Sequence, residues 1–153
     1  MPLGDAWFDL VKEKDIEGCK TLVVNGTDVN EQSNIRGWTK LMVASYNGEI
    51  EIVKMLLGRK GINVNIQSVD GFTALIRASQ KGHLDIVKLL LKVENINTSL
   101  SSVNGASALS LASSADIKLL LEDHSMTSKI VAPIKDLFYG TNTKKDRKVM
   151  NAQ

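Results

Sequence analysis

The sequence predicts an all-α fold built as a stacked array of small repeated units. Two stretches carry the prediction, Gly37–Leu57 (GWTKLMVASYNGEIEIVKMLL) and Gly71–Leu91 (GFTALIRASQKGHLDIVKLLL). Laid over each other at an offset of 34, they agree at Gly, Thr, Leu, Ala, Ser, Gly, Ile, Val, Lys and two closing leucines. Gly105 opens a third copy, GASALSLASS, another 34 residues on. A period between about 20 and 50 residues marks units that cannot bury an apolar face alone and must stack to do so. Within each full copy the apolar residues recur at helical spacing, with turn formers between.

The bulk properties set the frame. A chain of 153 residues, 43% apolar and 24% charged, is one ordinary globular domain's worth. The net charge of +2 is too small to imply nucleic acid, but it is unevenly spread. Six Lys/Arg against two Asp follow His124, so the tail carries +4 and the body −2. Cys19 is the single cysteine, which rules out an internal disulfide and fits a reducing compartment. There is no basic flank leading into an apolar run at the N-terminus, and no stretch nears the ~18 apolar residues of a spanning helix. The expectation is a soluble cytoplasmic protein, with nuclear entry left open by the basic tail.

Taken in order, Asp5–Val11 and Ile16–Val24 read as two short helices around the charged turn Lys12–Asp15. Trp7, Leu10 and Val11 fall on one helical face, as do Cys19, Leu22 and Val23. Asn25-Gly26 should end the second helix in a left-handed conformation. In the first full copy Thr39 caps a helix that turns Leu41, Met42 and Ala44 or Ser45 inward, and Gly48 breaks it. Ile50, Ile52, Val53, Leu56 and Leu57 mark its second helix. The second copy repeats this with Thr73, Leu75, Ala78, Gly82, Leu84, Ile86, Val87, Leu90 and Leu91, and Asn95 stands where Gly61 stood as a second choice for a left-handed position. In the third copy Ser107 replaces Thr, and only four residues separate Ala112 from Ile117 where eight separate Ala78 from Val87. Its Ile117, Leu119, Leu120 and Leu121 should keep the outer apolar face. Such decay suits a terminal unit with one neighbour. Ser128–Tyr139 should form a helix around Pro133 or an extended strap, and the polar stretch after it a tail. The units are placed at 4–33, 34–67, 68–101 and 102–124, followed by a tail at 125–153.

These residues resemble the ankyrin repeat, G-x-T-P-L-H-x-A-A-x-x-G-x-x-x-x-V-x-x-L-L-x-x-G-A-x-x-N. GWTKLMVASYNGEIEIVKMLLGRKGINVN and GFTALIRASQKGHLDIVKLLL follow it closely, and the leading segment ending NGTDVN looks like an N-terminal capping repeat. The resemblance spans Asp5–Asp123. It implies an ankyrin-repeat solenoid, a stack of antiparallel helix pairs with β-hairpin or turn fingers at right angles. It also implies a partner-binding role without chemistry of its own. The Thr-Pro-Leu-His core is TKLM, TALI and SALS here, so its Pro and His are absent from every copy, and the turn from Asn30 to Gly37 is one residue longer than that from Asn65 to Gly71.

Positions that vary between copies and are not needed for packing lie at the turn tips and first-helix ends. They are Ile35, Arg36, Trp38, Tyr46 and Asn47 in the first full copy. The second copy supplies Val69, Asp70, Phe72, Gln80 and Lys81, the third Val103, Asn104 and Ala106, and the cap Lys12 and Glu13. The resemblance likewise implies finger tips and inner-helix ends as a concave binding face. Trp38 and Phe72 follow the Gly of their copies, where no core side chain is required, and Arg36, Trp38 and Tyr46 are hot-spot types within one unit.

Other constellations do not rise to sites. Cys19 sits at an apolar helical position without a His or Asp nearby, so a buried inert thiol is expected. His83 should pack in its loop, and two histidines with one cysteine make no zinc site. Gly58–Gly61 (GRKG) follows a helix and lacks Walker spacing. No cofactor, metal or small-molecule substrate is therefore expected, and no enzyme. The leading reading is a non-catalytic module binding another protein through the concave face. The alternative is a scaffold or regulatory domain whose basic tail, with its KKDRK run at Lys144–Lys148, contacts a partner, nucleic acid or an anionic surface.

Overall fold

The computed structural model describes residues 3–25 and 28–138, with seven helices and no named strand among them. The helices are α1 (Leu3–Lys12), α2 (Ile16–Val24), α3 (Lys40–Asn47), α4 (Ile50–Leu57), α5 (Ala74–Lys81), α6 (Leu84–Leu91) and α7 (Ala115–Phe138). The chain divides into two units, Met1–Leu121 and Glu122–Gln153, with the boundary inside α7.

In the first unit the helices form two rows. α1, α3 and α5 pack side by side as the inner row, and α2, α4 and α6 as the outer row. α3 and α5 begin and end where the sequence provides caps. Thr39 and Thr73 accept from the amides of Met42 and Ile76 at 3.2 Å, and Gly48 and Gly82 close their helices in the left-handed conformation. The repeated apolar positions form one continuous core: Leu41, Met42, Ile52, Val53 and Leu56, then Leu75, Ile76, Ile86, Val87 and Leu90, all buried.

Two devices stand in for the missing Pro and His. Lys40, in the proline position, is nearly buried. Its amine reaches Glu31 at 3.6 Å and the Asp28 carbonyl at 3.3 Å, and its own carbonyl accepts the Trp7 indole N–H at 3.3 Å. This ties the capping unit to the first full copy. His83, at the start of α6, lies 3.0 Å through Nε2 from the Tyr46 carbonyl of the preceding unit. Its ring fills the space beside Gly48, where even a methyl group would come within 2.6 Å of it. The expectation that His83 packs in its loop is met.

Each of the three full or partial copies opens with a finger closed by a serine. Ser33, Ser68 and Ser102 pair backbone to backbone with Trp38, Phe72 and Ala106, and their hydroxyls accept the same residues' amides at 3.0–3.1 Å. The extra residue of the first finger is absorbed in its reversal, where Gly37 N–H bonds back to Ser33 across four residues and Gly71 to Ser68 across three. Adjacent fingers are also joined, Val69 N–H to Arg36 O at 3.1 Å and Val103 N–H to Asp70 O at 2.9 Å.

Several expectations need correction. Asn95 is not left-handed, because Lys14 (φ 57°) is the one non-glycine residue with positive φ among the described residues. The α6 end is closed instead through the Lys92 N–H. Asn25 closes α2 at φ −75°, also outside the left-handed region, and Gly26 lies outside the described residues. The third copy keeps its cap, with Ser107 and Ser110 bonded reciprocally, but only a turn follows at 108–111. With the connection shortened, Ser113 N–H instead binds Ser79 O, and α7 starts at Ala115. Ile117 and Leu121 are buried as expected, whereas Leu119 is 58% exposed and off the core face. α7 runs helical through position 133 to Phe138, so the helical alternative holds to that point. Tyr139, with the rest of the tail, lies outside the described residues.

Two predictions follow from the stacking. Gly71 and Gly105 occupy the same repeat position at φ 82° and 80°, but a methyl at Gly71 would meet the next finger's backbone at 2.9 Å and one at Gly105 meets nothing. Gly105→Ala should cost about 1 kcal/mol of unfolding free energy and Gly71→Ala at least twice that, measured by urea titration. Ser45 and Ser79 are fully buried with unpartnered hydroxyls at equivalent positions. Ser45→Ala and Ser79→Ala should each raise stability by about 1 kcal/mol, read as a higher urea midpoint at unchanged slope.

Candidate functional site

Ile35, Val69 and Val103 recur every 34 residues at the finger tips and are 88%, 69% and 73% exposed. Arg36, Asp70 and Asn104 beside them are exposed too, as are Asn47, Gln80 and Lys81 at the ends of α3 and α5 and Lys12 and Glu13 after α1. The exposed residues thus follow the sequence reading. Asn47 is partly committed, its amide donating to the Val43 carbonyl at 2.8 Å.

Trp38 departs from that reading. It is only 7% exposed, because its own and both adjoining units cover it: the Phe8 ring of α1 lies at 5.9 Å, Tyr46 of its own unit edge-on at 5.4 Å, and Arg77 of α5 above its face at 4.5 Å. Its indole N–H is buried without a partner. Trp38 is therefore a packing centre joining three units, not a free contact residue. Phe72 and Tyr46 are half-buried around it.

Arg77 is the residue that sequence reasoning missed. Its guanidinium lies 3.8 Å from the Phe72 ring, 4.5 Å from Trp38 and 5.9 Å from Tyr46, and Lys81 Nζ lies 4.6 Å from Tyr46. Such stacking on aromatic faces suits the planar, weakly hydrated guanidinium. Burial lowers the Arg77 pKa; Asp70 and Tyr46 oppose that, while the charge of Arg36 adds to it. Nη1 donates to Gln80 at 3.3 Å, and Nε is buried without a partner. The signal was available in register, since Arg77 stands where the preceding copy has the fully buried Val43.

A described stack of helix pairs, fingers and interlocking carbonyl bonds meets one known pattern. The family described as ankyrin repeats, in three copies, matches residues 8–102, more than half of the chain. The chain belongs to the ankyrin-repeat family. A segment of 47 residues, 31% of the chain, is 45% identical to "Ankyrin repeat and SAM domain-containing protein 6" of Rattus norvegicus, of whose length it spans 5%. Ankyrin repeats are generally protein–protein interaction modules and generally non-catalytic. The family match covers the capping unit and both full copies and stops at the third finger, before the copy whose inner helix is lost. Among the described residues no helix is long and apolar enough to cross a membrane, and no group of three or more His, Cys, Asp or Glu could hold a metal. The basic run Lys144–Lys148 lies outside the described residues.

Cys19 is fully buried, as expected of an inert thiol. An acid does lie near it, contrary to expectation, since Asp15 is one helical turn back. Burial first, then the charges of Asp15 and Glu49, push its pKa up to about 11. The folded thiol thus holds its proton more tightly than the unfolded one, whose ordinary value is 9.0. Its contribution to stability is complete below pH 9 and is lost as pH rises toward 11. At pH 8 native protein should resist iodoacetamide while urea-unfolded protein is alkylated, checked by intact-mass measurement.

Proposed function

We propose that this ankyrin-repeat chain is a non-catalytic module that grips a partner protein along its finger tips and inner-helix ends. The row of exposed β-branched side chains at Ile35, Val69 and Val103 carries the reading. Folding has no use for an aliphatic residue at each tip, where the neighbouring Arg36, Asp70 and Asn104 show that polar residues serve equally. An ordered row of exposed apolar side chains with a polar surround is what an interface supplies. Tyr46, Phe72, Gln80 and Lys81 extend the face inward from that row. Trp38 supports it from beneath. The fully buried reduced Cys19 fits action in the cytoplasm.

The test uses positions that the fold does not need. A partner isolated on the immobilised chain and then purified should bind wild-type protein and the outer-row variant Lys88→Glu with equal affinity. Ile35→Ser/Val69→Ser should lose at least tenfold in affinity with its melting temperature within about a degree of wild type, since exposed substitutions cost little stability. Equal binding by the finger-tip variant in calorimetric titration would move the contact to another surface.

A further inference from the structure

The finger and inner-helix face carries an imbalance that the reading above does not use. Arg36, Arg77 and Lys81 stand on it against the single acid Asp70 among the second finger and the helix end. Among the described residues none of these three cations has a carboxylate within ion-pair distance. Elsewhere the chain does pair its packed cation: Lys40, nearly buried, has Glu31. Arg77 is instead partly desolvated between rings, and among the described residues Gln80 is its one hydrogen-bonded side-chain partner.

Ring stacking holds a guanidinium in place without using its N–H donors. With Nε buried and Nη1 donating to Gln80, Nη2 is left, among the described residues, neither buried nor hydrogen-bonded. Its freedom is already restricted, which lowers the entropy lost on binding a ligand. A carboxylate is the partner group such a fork matches, and a charge-assisted bond there is about twice as strong as a neutral one. Lys81, one helical turn beyond Arg77 and over the adjoining Tyr46 ring, can meet a second carboxylate.

Resting on the proposed protein-binding role, we infer that the Arg77–Lys81 cluster anchors an acidic segment of the partner protein. Its Asp or Glu side chains meet the two cations, and its apolar side chains lie on Ile35 and Val69. The aliphatic row argues against nucleic acid as occupant, because a phosphate-tracking surface gains affinity from many cations and nothing from exposed isoleucine or valine.

Selection of a displayed library of random 16-residue peptides on the full chain tests the inference. Peptides recovered should be enriched in Asp and Glu over the starting library. Synthetic copies, followed by fluorescence anisotropy, should bind at least tenfold more weakly to Arg77→Gln and several-fold more weakly to Lys81→Gln, and bind Lys88→Gln like wild type. Lys81 is exposed, so its variant keeps the test decisive where loss of Arg77 stacking disturbs the fold. Affinity should also fall on raising NaCl from 50 to 300 mM, less steeply for Lys81→Gln. Recovered peptides that are uncharged or basic, yet lose binding to Ile35→Ser/Val69→Ser, would overturn the acidic anchor and leave the binding face standing. Peptides indifferent to every one of these substitutions would overturn both. Tighter binding of a 16-nucleotide single strand than of the selected peptides would overturn the choice of a protein ligand.

Discussion

Each unit of this stack satisfies its own polar backbone partly through the next unit, and the rest of the structure depends on that exchange. Gln32 donates through one amide nitrogen to its own finger at Gly37 O and to the following unit at Gln67 O, at 2.8 and 3.0 Å. Gln67 repeats this with Gly71 O and Ser101 O. Asn30 donates to Gly61 O and accepts from Asn63 N–H, and Asn65 does the same with Asn95 O and Asn97 N–H. A lone unit would leave these carbonyls and amides with water alone, and its apolar face open. Stacking resolves both at once, so polar satisfaction fixes the register that burial alone would leave loose.

The same exchange explains how the array ends. In the third copy the ladder positions are Ser99 and Ser101, side chains too short to reach a following unit. Ser99 turns back to Asn97 Oδ1, through both its amide and its hydroxyl. The third finger accordingly leaves open space beside Gly105, where the second finger has a neighbour in contact. The loss of ladder residues, of the inner helix and of the left-handed helix end occur together in one copy. This is also the copy whose finger meets no further finger among the described residues.

Much of the fold was legible in the sequence because the period aligns equivalent positions: caps at Thr39 and Thr73, buried leucines and isoleucines, and helix-ending glycines all follow from the offset of 34. What misled was read within one copy but decided between copies. Trp38 looked free because its position needs no side chain for its own unit, yet Phe8 from the unit before and Arg77 from the unit after close over it. Arg77 drew no reading at all, because nothing local announces the three rings that gather around it. Asn95 was read by analogy with Gly61, although a helix end can be closed by right-handed backbone bonds that need no special residue. The finger-tip side chains of Ile35, Val69 and Val103, by contrast, stay exposed although the finger backbones are joined, and there the reading of the exposed residues stands.

The surroundings of Arg77 set the second full copy apart from the first. Three inner elements converge there, and the rings of Trp38 and Phe72 enclose a cation where Val43, one unit earlier, simply fills space. A valine at position 77 would pack without desolvating a charge, so cohesion of the stack does not require arginine. Each cation–π contact returns about 0.5–2 kcal/mol, which offsets the lost hydration of the guanidinium but supplies no counter-charge. The rings belong to the stack and hold the cation still, and among the described residues no carboxylate pairs with the charge they hold.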